Sequence, residues 1–186
     1  GGCAGNIIYN LVSIGADAFS IGTMGSDAGP YIEWMRKNNI NTDYIEIIKD
    51  SYTAQAYITT DRNANQITTF HPGAMQYSNQ IKIPDNDSVT LGLISPDGRD
   101  GMIDHAKQLI EMKVPYVFDP GQGMPMFNKD ELNFFSDNAS WIIMNDYEFK
   151  MYNDITGHTP SDIVSNNKVL VVTDGDNGSS IFTIDK

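Results

Sequence analysis

The spacing of apolar residues along the 186-residue chain changes character several times, and each change marks an element. At the start, Gly1-Gly2-Cys3-Ala4-Gly5-Asn6 runs into the apolar-rich stretch 7–14, so a glycine-rich turn is expected to open onto a helix that Gly15 ends. Residues 18–21 read as a short strand. Residues 22–29 read as a glycine-rich loop, with Pro30 as the first-turn residue of a helix at 31–38. Segments 44–48, 53–60 and 66–70 are rich in β-branched and aromatic residues, and residues 61–65 form a hairpin turn. They predict a local antiparallel patch and not a βαβ unit.

Strand and helix patterns then alternate. Residues 89–94 predict a buried strand, Ser95-Pro96-Asp97-Gly98 a loop, and Met102, Ile103, Ala106, Leu109 and Ile110 one face of a helix. Strand 114–118 ends in Asp119-Pro120-Gly121. Helix 129–135, strand 141–144, a helix from Asp146, a helix near 161–165 and strand 169–172 follow. The sum is an α/β chain with a mainly parallel sheet and a small β-rich excursion at about 44–72, organised as one domain or one domain with a small appendage.

In such sheets ligands sit beyond the carboxyl ends of the strands. Asp119, Asn145 and Thr173 each follow an apolar run and stand where a site is expected. The opening glycines permit close backbone approach to a ligand beside Asn6. Charge narrows the partners: 12 basic against 24 acidic residues, a net charge of −12 and no Lys/Arg stripe argue against nucleic acid and anionic membrane. The lone cysteine, Cys3, excludes an internal disulfide and reads as a small packed residue and not a nucleophile. No apolar run of about 18 residues predicts a membrane span, and the cytoplasm is the default compartment. Among the histidines, His105 is expected on the polar, solvated side of its helix, and too few ligands exist for a transition-metal site. Walker A, G-x-G-x-x-G and G-x-S-x-G motifs are absent.

Taken singly, the remaining motifs are ambiguous. Asn145 and Glu148 could be a plain helix cap and first-turn acid, Gly175 and Gly178 a hairpin turn, and Phe70 a core residue, although its place beside His71-Pro72-Gly73 favours a pocket role.

Taken in order, four segments resemble the ribokinase-like (PfkB-type) carbohydrate and nucleoside kinases. Gly1-Gly2-Cys3-Ala4-Gly5-Asn6 is similar to the Gly-Gly-x-x-x-Asn substrate motif. Gly25-Ser26-Asp27-Ala28-Gly29 with Asn39-Ile40-Asn41-Thr42 resembles the G-x-D-x-x-G and G-V-x-T segments, with Asn39 in place of glycine. Asn145-Asp146-Tyr147-Glu148 resembles the Asn-x-x-Glu motif, and residues 171–178 the V-T-x-G-x-x-G nucleotide loop. Thr53-Ala54-Gln55-Ala56-Tyr57-Ile58, Phe70-His71-Pro72-Gly73-Ala74-Met75 and Asp119-Pro120-Gly121-Gln122-Gly123 look most like the bacterial adenosine-kinase-like branch.

The resemblance implies a three-layer α/β/α core with a small β lid, here a partial kinase domain spanning 1–186 with the lid at about 44–72. It implies ATP-dependent transfer of a γ-phosphoryl group to a hydroxyl of an adenosine-like nucleoside or a sugar. Gly2, Cys3, Asn6 and Phe70 would hold the substrate. Asn145, Thr173, Gly175 and Gly178 would hold ATP, and Glu148 would hold Mg²⁺ through water. The family's aspartate base and its G-A-G-D segment are expected beyond Lys186, which would leave these 186 residues inactive alone. A homodimer would form through the lid. A pure sugar kinase and a non-catalytic nucleotide or nucleoside sensor stay open as alternatives.

Overall fold

The computed structural model describes residues 2–63, 66–84, 88–165 and 168–184. Gly1 of the opening motif, and Ala64 and Asn65 of the expected 61–65 turn, lie outside the described residues. The chain divides into two compact units, Gly1–Lys82 and Ile83–Lys186.

The first unit begins with helix α1 (Gly2–Ser13) and contains β1 (Gly22–Gly25), α2 (Gly29–Lys37), β2 (Ile45–Ile48), β3 (Gln55–Thr60), β4 (Gln66–His71) and a 3-10 helix at Gly73–Gln80. The expected glycine-rich turn is itself helical. Ile8, buried at the core with Met35 and Ile40 and flanked by Val12, anchors α1, which reaches back through Gly5 to its first residue, Gly2, at φ +75°. Gly15, with φ +83°, stops it as expected.

Two further expectations are corrected. The strand is not at 18–21, where Phe19 makes only an isolated bridge to Asn41. It lies at Gly22–Gly25, inside the expected loop. Strand β2 pairs with β1 in parallel, from Gly22↔Ile45 to Gly25↔Ile48, so β1-α2-β2 is a βαβ unit and segment 44–48 does not belong to the antiparallel patch. Glycine in β1 misled the reading because glycine usually weakens strands. Here Gly25 is required, since a Cβ would press into the Tyr52–Thr53 backbone. The antiparallel patch is the β3–β4 hairpin alone, paired from Gln55↔His71 to Thr60↔Gln66.

The second unit runs β5 (Gly92–Ile94), α3 (Arg99–Glu111), β6 (Tyr116–Phe118), a 3-10 helix at Gly121–Met126, α4 (Lys129–Asn138), β7 (Trp141–Asn145), α5 (Asp146–Thr156), α6 (Pro160–Val164), β8 (Val169–Thr173), a 3-10 turn at Gly175–Asn177 and β9 (Ser179–Phe182). Its sheet has the order β5-β6-β7-β8-β9, parallel through β8, with β9 antiparallel. The core gathers Ile142, Met144, Leu170, Leu132 and Phe118 around Phe135, whose ring stacks on Phe118 at 4.1 Å and meets Phe127 edge-on at 5.2 Å. Beneath it, Tyr152 Oη donates to Ser136 Oγ at 2.7 Å, and the Lys168 ammonium donates to the Ser136 carbonyl.

Here too two expectations fail. Of the run 89–94 only Ile94 is buried. Leu91 and Leu93 are 54% and 41% exposed, because β5 is a three-residue edge of this sheet with a strand neighbour on one side. His105 is buried, at 4% exposure, and not solvated. Positions 102, 105, 106 and 109 share one helix face, so the α3 stripe that buries Met102, Ala106 and Leu109 carries the imidazole inward with them.

Candidate functional site

The second unit assembles its polar residues at the carboxyl ends of β6, β7 and β8. Asn145 closes β7 and caps α5 at the same residue. Its Oδ1 accepts from the Glu148 N–H at 2.7 Å, and Glu148 Oε2 accepts from the Asn145 N–H at 2.9 Å. The cap reading of these two residues is therefore correct as geometry. The box uses one side-chain oxygen of each residue and does not engage the Asn145 Nδ2 or the second Glu148 oxygen. Thr173 stands beside Asn145 in strand register, at the exposed end of β8.

Asp119 follows β6 directly. Its N–H donates to the Ile94 carbonyl at 2.9 Å, and its carboxylate accepts from the Gly121 N–H. Gly121 allows this turn in two ways: its φ is +46°, and a Cβ there would come within 2.7 Å of the Pro96 ring. Burial pushes the Asp119 carboxyl up from the ordinary carboxylate range, and the nearby negative charge of Glu148 pushes it further. Asp119, directly after β6, and Glu148, in the first turn of α5 after the neighbouring β7, are thus half-buried acids close enough to repel. A divalent cation would relieve that repulsion. Among the described residues no group of three or more His, Cys, Asp or Glu is arranged to hold a metal, so the described residues offer this pair of carboxylates and no larger cluster. That donor set suits Mg²⁺, which keeps most of its waters.

After Thr173 the chain makes a tight exposed turn. The Asp174 N–H donates to the Gly178 carbonyl at 2.8 Å, and Gly175 and Gly178 take φ values of +46° and +95°. The hairpin reading of these glycines is correct as well, and it joins β8 to the unexpected β9. The turn lies at the carboxyl end of the parallel set, where nucleotide-binding loops belong.

The remaining expected residues lie on the first unit. Gly2, Cys3 and Asn6 all lie in the first five residues of α1, with Gly2 and Asn6 exposed and Cys3 half-buried. Because α1 begins at Gly2, Asn6 sits past the first turn and not at the helix start, so it can offer its side-chain amide but not an end-of-helix N–H. Phe70 is 48% exposed on β4, opposite Ala56, and is not a core residue. Sequence reading missed the pairing of Asp119 with Glu148. The signal was present in an Asp-Pro-Gly step directly after an apolar run, but nothing local shows that a second acid 29 positions on will face it. No helix among the described residues is long and apolar enough to cross a membrane.

Comparison with known proteins bears on the family and the fold. The pfkB family carbohydrate kinase model matches residues 1–186. A nucleoside kinase of Methanocaldococcus jannaschii is 26% identical over all of this chain and 62% of its own length. Two structures of the Burkholderia thailandensis nucleoside kinase are 42% identical to the chain with a TM-score of 0.92. The complex with inosine covers 97% of this chain and 60% of that one, and the complex with ADP-inosine 98% and 58%. The fold is thus the ribokinase-like α/β fold of the nucleoside kinases, and the chain spans about 60% of the length of the relatives it matches.

Proposed function

Because the chain belongs to the pfkB family of carbohydrate kinases, we propose that the whole protein is an ATP-dependent kinase that phosphorylates a hydroxyl of a purine nucleoside. The observation that carries the chemistry is the half-buried acids Asp119 and Glu148, close enough to repel, with Asn145 and Thr173 in register at the carboxyl ends of adjacent parallel strands. The nucleoside preference rests on the nucleoside kinase relatives, one of them seen with inosine.

Phosphoryl transfer asks a protein mainly for positioning and charge neutralisation. Glu148 and Asp119 would hold hydrated Mg²⁺, which supplies positive charge to the phosphate oxygens. Asn145 would order water and phosphate through its amide, while Thr173, Gly175 and Gly178 line the nucleotide. Gly2, Cys3 and Asn6 would bind ribose hydroxyls, the Asn6 amide offering one donor and one acceptor. Phe70, on the hairpin, would stack on the base. The hairpin itself would exclude water and offer an edge for a homodimer. The cytoplasm is the compartment we assign. The 186 residues alone are expected to show no turnover, since the family's G-A-G-D segment does not occur in them.

A substrate panel tests this. With ATP and Mg²⁺, purine nucleosides should show kcat/KM at least tenfold above ribose- and fructose-type sugars, a difference of about 1.4 kcal/mol. Better turnover of the sugars would establish the sugar kinase instead, and tight nucleoside binding without turnover would establish a sensor. Replacing Asn6 with Ala should weaken acceptor binding by about 1–3 kcal/mol, since buried partners on the substrate go unpaired. Folding stability should barely change, because Asn6 is exposed. A large loss in Tm with unaltered nucleoside affinity would return Asn6 to a structural role.

A further inference from the structure

The G-x-D-x-x-G segment has no task in the reading above, yet its aspartate is the charged member of a tightly fastened joint. The β3–β4 hairpin is exposed at every strand position except Gln55, so little along its length sets its direction. Its position is set at its base, where both legs are tied to β1.

The outgoing leg is tied by backbone and hydroxyl. The Ala74 N–H donates to the Tyr52 carbonyl at 2.8 Å, joining one leg to the other, and Thr23 Oγ1 donates to the Ala74 carbonyl at 2.6 Å. Gly73 has a φ of +49°, and a Cβ there would strike the Tyr52 carbonyl oxygen, so the legs meet closely only because it is glycine. The incoming leg is tied through Thr53. The Gly25 N–H donates to Thr53 Oγ1 at 3.0 Å, while the Thr53 N–H and hydroxyl both donate to Asp27 Oδ1 at 2.8 Å. Together these bonds define the backbone direction and the rotamer of Thr53 two residues before β3 begins. The same two bonds hold the Asp27 carboxyl below the usual carboxylate range, so it is ionised at neutral pH.

We propose that Asp27 is a positioning residue: through Thr53 it fixes the direction in which the β3–β4 hairpin leaves β1, and thereby where the hairpin carries Phe70. The register makes the lever short. Thr53 lies three residues before Ala56, and Ala56 is the cross-strand partner of Phe70. Loss of the carboxylate removes both bonds to Thr53 and leaves the incoming leg held more loosely, by the Gly25 N–H at Thr53 Oγ1 and by Ser26 at the Ser51 carbonyl, while the outgoing leg stays tied through Thr23 and Ala74. The hairpin then swings instead of unfolding. The effect on turnover rests on the proposal that Phe70 covers a nucleoside, whereas the effect on the hairpin's order does not.

The test uses the whole protein with Asp27→Ala, Thr53→Val and Thr53→Ser, read by nucleoside KM, ATP KM, Tm and amide hydrogen exchange. Asp27→Ala and Thr53→Val should raise nucleoside KM about tenfold, within the roughly 10²-fold that a misplacement of about 1 Å can cost. ATP KM should stay within about twofold, and exchange at residues 55–60 and 66–71 should speed up while β6–β8 keeps its protection. Thr53→Ser, which retains the hydroxyl, should behave as wild type. Unchanged hairpin exchange in both Asp27→Ala and Thr53→Val overturns the proposal, as does an equal rise in both KM values with a fall in Tm, which marks a merely structural role. Faster hairpin exchange with an unchanged nucleoside KM, together with a Phe70→Ala variant of unaltered KM, supports the joint and instead removes Phe70 from the nucleoside site.

Discussion

Asp119→Asn is expected to make the metal-free protein more stable and to lower sharply the kinase activity proposed for the whole protein. Folding raises the Asp119 carboxyl above its unfolded value, so the fold disfavours the carboxylate. That cost is fully present above the folded pKa and is relieved as pH falls through it. The amide removes the charge at almost constant shape, so with chelator present Tm should rise at pH 8, by about 2–4 °C for each kcal/mol relieved. The gain should shrink towards zero as the buffer approaches the ordinary carboxylate range of about pH 4. In the whole enzyme the same change removes one of two acids proposed to hold Mg²⁺, and activity at fixed Mg²⁺ should fall on the order of 10- to 100-fold. Glu148→Gln should lower activity similarly but gain less stability, because Glu148 also receives the Asn145 N–H in the capping box. If Asp119→Asn lowers Tm at pH 8 and leaves the Mg²⁺ dependence intact, Asp119 serves the turn after β6 and no metal.

The second large effect is on the core beneath that site. Phe135 is fully buried, stacked on Phe118 and edge-on to Phe127 and Phe134. Phe135→Ala leaves a cavity that three neighbouring rings cannot fill without leaving their own packing. The expected cost is about 3–5 kcal/mol, a large part of the roughly 5–15 kcal/mol that holds a typical domain folded. Trp141 lies in the same unit and Trp34 in the other. Urea melts followed by Trp141 fluorescence in a Trp34→Phe background therefore report on the second unit, with a lowered midpoint and an unchanged slope. Phe135→Leu should lose clearly less. A loss below about 1 kcal/mol for the alanine variant would show that the cluster repacks. Phe118 immediately precedes Asp119, so the cavity should also disturb the acid pair.

Legibility from sequence followed the physics of each element. Strands β6, β7 and β8 and helices α2 to α5 were visible because their periodic apolar residues are also their buried ones, as in Phe118, Leu132, Ile142 and Leu170. Asn145 and Glu148 were visible because a capping box is a local pattern. What escaped depended on partners distant in sequence. β1 is a strand because Ile45–Ile48 lies beside it and Tyr52–Thr53 packs on Gly25, neither of which glycine at 22 and 25 announces. His105 looked solvated by its chemistry and is buried by its helical phase. The Asp119–Glu148 pair exists only once β6 and β7 are adjacent. The candidate site was therefore legible as separate motifs and illegible as a constellation.

The crossover topology of the second unit also bears on how it forms during synthesis. Each parallel pair must wait for a helix and the next strand, whereas the β8–β9 hairpin closes across a five-residue turn. Strand β7, with Trp141, Ile142, Ile143 and Met144, can find β6 at once, but its other edge stays open until Thr173, about 28 residues later, has been made. At about 5–20 residues per second that gap lasts roughly 1–6 s, far longer than the microseconds in which a hairpin forms. For those seconds this apolar strand edge of the nascent chain is accessible to chaperones and to neighbouring nascent chains. Slow codons between residues 145 and 173 would lengthen the exposure.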